Sequence, residues 1–142
     1  MTLHDLEILP IGKKTSSGRY YDLESAEKII SEYERQVQRL GNYYGCYEDS
    51  QDYINYGDPD VVSIKNIGFI VKDLKLKGIK CLTCTIIILE TPKGKQLKRS
   101  IRDVVFRPCV WGFVKEDGRV VIERLISINS FSKHIDNFIN ED

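Results

Sequence analysis

A single stripe of apolar side chains at helical spacing stands in a chain whose other apolar runs are only strand-long. That combination does most to narrow the possible folds. Leu23, Ala26, Ile30, Tyr33, Val37 and Leu40 recur at steps of three and four, which on a helix makes one face. Asp22 suits the N-cap, Glu24 the positive first turn and Gly41 the C-terminal stop. Glu24, Lys28, Glu32, Glu34, Arg35 and Arg39 cover most of the opposite face. Such a helix must lay its stripe on another apolar surface, and the rest of the chain offers mainly strands.

Residues 4–11 alternate loosely and predict a first, edge-type strand with Pro10 near its end. Residues 12–18 read as a turn-rich loop. Residues 61–74 predict a strand, Lys77-Gly78 a turn, and residues 81–89 a partner strand packed on both faces. Pro92-Lys93-Gly94 predicts a break, and residues 96–102 a short helix or loop. Residues 104–114 and 119–128 read as a hairpin around Glu116-Asp117-Gly118. Ser130 or Ser132 suits the cap of a last short helix carrying Ile135, Phe138 and Ile139. Residues 42–61 read as one long irregular segment. It holds Glu48, Asp49, Asp52, Asp58 and Asp60 but no Lys or Arg, interleaved with Tyr43, Tyr44, Tyr47, Tyr53 and Tyr56. A loop of that length usually has a task or moves. The expected fold class is α+β: one domain over residues 1–142, a small, mostly antiparallel, closed or nearly closed β-barrel flanked by one long and one short helix.

The 142 residues suit one core that needs no disulfide or metal. Lys plus Arg equals Asp plus Glu, so the net charge is zero. That balance argues against direct nucleic-acid binding, which needs a surplus of Lys and Arg. The most apolar segment, Cys84-Thr85-Ile86-Ile87-Ile88-Leu89, is far shorter than the roughly 18 residues of a membrane span. No apolar run follows a basic start, so no secretion signal and no membrane partner are expected. Cys46, Cys81, Cys84 and Cys109 then read as reduced thiols.

Few residues carry chemistry. The histidines are His4 and His134, both near the termini, and they read as surface groups. Cys81-x-x-Cys84 has the spacing of a metal or redox pair. On a strand, however, residues three apart point to opposite faces, so buried apolar cysteines are the plainer reading. Asp49-x-x-Asp52 with Asp58 and Asp60 lacks the spacing and closing glutamate of a calcium loop. No cofactor and no metal are expected. Lys93, Lys95, Lys98, Arg99 and Arg102 form a basic run that could touch nucleic acid or an acidic partner, and the neutral net charge favours a solvated turn over nucleic acid. Trp111 and Phe113 share one strand face with period two, and with Phe106 they are expected to fill barrel core.

The order of short motifs resembles that of the prohead (capsid maturation) serine proteases of tailed phages. Ser17-Gly18-Arg19-Tyr20-Tyr21 and the helix to Tyr33 are similar to that family's opening, with Asp22 replacing its usual proline. Leu89-Glu90-Thr91-Pro92-Lys93-Gly94-Lys95 matches a strand end followed by T-P-x-G-K. Gly112-Phe113-Val114 and Leu125-Ile126-Ser127-Ile128-Asn129 match the closing landmarks. The resemblance spans roughly residues 4–130. It departs where the family keeps its catalytic groups. Glu48 and Asp49 stand at the first histidine motif, Gly68 and Phe69 at a Ser-His pair, and Val105 and Phe106 at the paired serines before Arg107.

The resemblance implies a β-barrel ringed by helices, shared with the herpesvirus assembly proteases, and a chain without its nucleophile and base. The expected function is therefore that of a non-catalytic virion protein of a tailed phage. It would be an auxiliary or minor capsid protein that binds the major capsid protein or other head proteins. A second expectation is a regulatory or scaffolding pseudoprotease of prohead assembly, and a third an active hydrolase using residues outside the family motifs. Segments that flank the substrate cleft in the family supply the candidate partner-binding residues: Tyr43, Tyr44, Tyr47, Tyr53, Tyr56, Lys93, Lys95 and Arg107. Tyr and Arg are enriched at protein interfaces. The expected location is the capsid, and the host cytoplasm during assembly, with possible self-association through the capsid lattice.

Overall fold

The chain curls a six-stranded sheet into a half-barrel and packs two helices on it. The computed structural model describes residues 1–15, 17–47 and 67–133. The strands are β1 (Thr2–Pro10), β2 (Tyr43–Tyr47), β3 (Ile67–Lys77), β4 (Cys81–Ile88), β5 (Val104–Val114) and β6 (Val120–Ser132). The helices are α1 (Leu23–Leu40) and α2 (Pro92–Arg99). The sheet order is β1-β4-β3-β2-β6-β5. Every pairing is antiparallel except the short parallel contact of β2 with β6, where Cys46 faces Asn129 and Tyr47 faces Ser130.

Bulges bend the ribbon. Asp5 and Asp73 adopt left-handed φ values of 51° and 54°. They lie where the register slips between Leu3 and Leu6 and between Lys72 and Lys75. A bulge adds twist, and aspartate tolerates that backbone better than most residues. The ladder ends at β1 and β5, which approach each other. Among the described residues no hydrogen-bonded ladder joins them, so the barrel expected to be closed or nearly closed is a curled half-barrel.

α1 starts and stops where its caps predict. Asp22 accepts the Ser25 N–H at 2.8 Å, and Gly41 ends the helix at φ 84°, donating to the Val37 carbonyl. A left-handed C-terminal residue costs glycine almost nothing. The buried line differs from the predicted stripe. Ser25, Ala26 and Ile29 are buried, Ile30, Tyr33 and Val37 are half-buried, and Leu23 and Leu40 are exposed at the helix ends. Ser25 donates to the Val120 carbonyl at 2.7 Å, which fixes the helix on β6.

β4 is buried along nearly its whole length, as its apolar run implies. Four other expectations are corrected. Residues 43–47 of the supposed loop form β2, because they pair with β3 and β6. Pro92 opens α2 rather than breaking the chain, since its missing N–H falls where a helix has none to bond. Ser130 lies inside β6, which pairs with β5 as far as Val104–Ser132, so it caps no helix, while Ser132 is the strand's last residue. Trp111 and Phe113 are 49% and 51% exposed, outside the core, whereas Phe106 is buried. The predicted last helix with Ile135, Phe138 and Ile139, and the start of the predicted strand at 61–66, lie outside the described residues.

Candidate functional site

The family-like opening of the chain docks against the far hairpin. Tyr20 bridges Arg119, its hydroxyl donates to Asp117 at 3.1 Å, and Arg119 donates to Asp22 at 3.2 Å. Burial pushes the Asp22 carboxyl up, but the Ser25 N–H and Arg119 outweigh it and hold the group below its ordinary range. The α1 N-terminus and the β5–β6 turn are thereby tied together.

The positions where the resemblance places a histidine and a serine meet inside this frame. Phe69 on β3 and Phe106 on β5 lie edge to face, with ring centroids 5.1 Å apart and planes at 89°. They are 0% and 3% exposed. Two strands, β2 and β6, lie between β3 and β5 in the sheet. The rings reach one another because the intervening positions carry little bulk. Gly45 is opposite Phe69 and Ser130 is opposite Phe106. A Cβ at Gly45 would run into the Phe69 ring. Ser130 is fully buried, and its hydroxyl has no hydrogen-bond partner among the described residues. Two phenyl rings can neither accept nor deliver a proton, so this pair offers packing and no acid–base chemistry.

Gly68 is buried beside Tyr47 and Gly94, and its carbonyl accepts the Leu89 N–H at 2.9 Å. Val105 is half-buried and faces Phe131 across the ladder. Glu48, Asp49, Tyr53 and Tyr56 lie outside the described residues.

The candidate contact residues separate. Tyr43 is core: 2% exposed, stacked on Tyr33 at 5.4 Å, its hydroxyl pushed far up by burial. It therefore offers no surface to a partner, which corrects that expectation. Tyr47 and Lys93 are brought together, with the ammonium 5.9 Å from the ring centroid. The Tyr47 hydroxyl also lies 3.4 Å from that of Ser100. Thr91 caps α2 by accepting the Gly94 N–H and donates to the Ile67 carbonyl at 2.6 Å, which seats α2 against β3. Lys95 is exposed on α2, and Tyr44 is half-buried on β2. Arg107 lies across the sheet, donating to the Phe106 carbonyl at 3.0 Å.

His4 is exposed on β1, and His134 lies outside the described residues. The four thiols form no disulfide. Burial pushes Cys84 up to about 12 and raises Cys81, where Glu7 adds to the effect. Thiols held so high are poor nucleophiles and metal ligands. Cys84 belongs to the core cluster and Cys81 does not, in line with their opposed directions on the strand.

A second feature escaped sequence reading. Glu32, assigned to the solvent face of α1, is only 11% exposed in its side chain. It accepts the Leu125 N–H at 3.2 Å and pairs with Arg124 at 3.5 Å and Arg35 at 3.8 Å. With Gln36, Arg39 and Tyr43 these residues line a small, solvent-open hollow. Glu32, Arg35 and Arg39 at steps of three and four were the available signal, but their spacing alone does not say that β6 runs beneath them.

The fold is similar to that of a capsid assembly protease. The capsid assembly protease of bacteriophage T4, gp21, superposes with a TM-score of 0.55 at 13% sequence identity, covering 92% of this chain and 90% of that one. No protein-family model and no curated protein matches the chain by sequence. The prohead-protease-like fold expected from the motif order is thus supported by the architecture. Among the described residues, no helix is long and apolar enough to cross a membrane.

Proposed function

We propose that this chain is a non-catalytic head protein of a tailed phage, a capsid-protease fold kept for binding. One observation carries the reading. In a fold similar to that of a capsid assembly protease, the positions the resemblance assigns to base and nucleophile hold a buried Phe69–Phe106 pair. Triad catalysis needs a nucleophile, a base in hydrogen-bond reach and a group to orient it. Losing one member typically costs a factor on the order of 10⁴ or more in rate. The barrel-and-helix plan of the herpesvirus assembly proteases belongs to the same reading.

The partner proposed is the major capsid protein, held as a minor or auxiliary component of the shell. The surface beside the former catalytic positions supports this. Tyr47 and Lys93 present an aromatic ring and a cation there, and Lys95 and Arg99 lie exposed on the same helix.

Quantitative mass spectrometry of particles from a phage encoding the chain is the direct test. Hundreds of intact copies per mature capsid are expected. Absence from both mature and immature particles overturns the reading. A parallel assay incubates the purified protein with capsid-derived peptides, and no cleavage is expected. Steady cleavage abolished by a serine-directed inhibitor overturns the non-catalytic assignment.

A further inference from the structure

β5 is one end of the sheet, and the half of it nearest the hairpin turn is unusual for an edge. Trp111, Phe113 and Val114 are 49%, 51% and 48% exposed. Among the described residues, β5 pairs only with β6. Soluble proteins usually protect such an edge with proline, inward charge or a bulge on the edge strand itself. Here Pro108 lies toward the other half, and both register slips against β6 leave β5 regular. The extra residues, Ile126 and Glu123, are on β6. Gly112 brings the backbones close, since a Cβ there would meet the Val121 carbonyl. The result is a regular five-residue edge, Val110–Val114, carrying exposed aromatics.

We propose that this edge is an interaction surface for a second copy of the same chain, which adds its own β5 in antiparallel pairing about a two-fold axis. The sequence of the edge is self-complementary in one register. A two-fold axis normal to the sheet sets outward side chains opposite outward side chains. The axis must therefore pass through a residue rather than between two. Arg107, Cys109, Trp111 and Phe113 alternate onto one face of β5. Centred on Trp111, the pairing sets Arg107 against Lys115, like charges in contact. Centred on Phe113, it sets Trp111 against Lys115. Centred on Gly112, Trp111 of each copy meets Phe113 of the other and Val110 meets Val114, with no charge inside the five-residue ladder. Aromatic and β-branched cross-strand pairs stabilise a ladder, and like charges directly opposite disfavour the register centred on Trp111. Pro108 then falls opposite Glu116, beyond the ladder, where its missing N–H loses nothing.

Pairing of five residues a side buries less than the ~800 Å² per partner of a standard interface, so the dimer is a weak one. The experiment is sedimentation of the full-length protein across a concentration series reaching about 100 µM, a range suited to weak interfaces. Emission of Trp111, the chain's single tryptophan, is followed in parallel. Reversible dimerisation with a blue shift of that emission is expected. Phe113→Lys weakens association at least about tenfold with unchanged far-UV circular dichroism, because the residue is half exposed and outside the core. Ile79→Lys removes a still more exposed apolar group, 75% exposed on the β3–β4 turn, and leaves the dimer intact. A wild type that stays monomeric overturns the proposal. So does a dimer untouched by Phe113→Lys, or one weakened equally by Ile79→Lys. None of these outcomes depends on whether the protein belongs to a phage head.

Discussion

Ser130 is a buried hydroxyl in an apolar setting, fully inaccessible and without a hydrogen-bond partner among the described residues. Removing an unsatisfied buried hydroxyl relieves its desolvation cost. Ser130→Ala is expected to raise stability by about 1 kcal/mol, read as a higher urea midpoint at unchanged slope. Opposite effects follow at its neighbours. Gly45→Ala puts a methyl into the Phe69 ring, which is itself fully buried and cannot retreat, and overpacking of this kind costs roughly 1–3 kcal/mol. At this scale the motif order found Phe69 and Phe106 as positions of interest, but Gly45 and Ser130 acquire meaning only once β2 and β6 lie between them. Tyr43 shows the converse. Five tyrosines among acids look like a contact surface, yet alternation along β2 turns Tyr43 inward, onto Tyr33.

Elements were legible where their signals are local. Asp22 and Gly41 bound α1 as their side-chain chemistry dictates. Asp22→Ala is expected to cost about 1 kcal/mol at neutral pH. Its folded-state carboxyl sits below the ordinary value, so its contribution is present above the ordinary carboxyl range. That contribution is lost as pH falls through the folded value, below about pH 4. Urea titrations from pH 7 to pH 3 should therefore show a larger acid loss in the wild type than in Asp22→Ala. β2 was not legible, because Tyr-Tyr-Gly-Cys-Tyr adjoins an acidic run and becomes a strand only through β3 and β6, both distant in sequence. α2 was half-read: Pro92 is a breaker inside a helix and a favoured residue at its start, and the Thr91 cap decides between the two.

At the scale of the whole molecule, the order β1-β4-β3-β2-β6-β5 divides into two antiparallel pieces. Four strands form one piece and the β5–β6 hairpin the other. The hydrogen bonds across the join are those of a two-residue parallel register. No local pattern announces a join of that kind, since parallel pairing of β2 with β6 links residues about eighty apart, and strand periodicity alone does not say how far a barrel closes. Contacts so distant in sequence also predict slow folding, in milliseconds to seconds rather than microseconds.

The join gives the Phe69–Phe106 pair a mechanical meaning. One ring is rooted in each piece, so the pair acts as a bolt through a seam that backbone bonds barely stitch. Phe106→Ala is expected to cost roughly 3–5 kcal/mol, but unevenly. Amides of the hairpin should exchange with solvent well before those of β3 and β4, as the smaller piece swings free. Uniform acceleration across both pieces would show that the seam is no weaker than the rest. Two side chains would then do for this molecule what a longer ladder does in others, keeping its two pieces in one body.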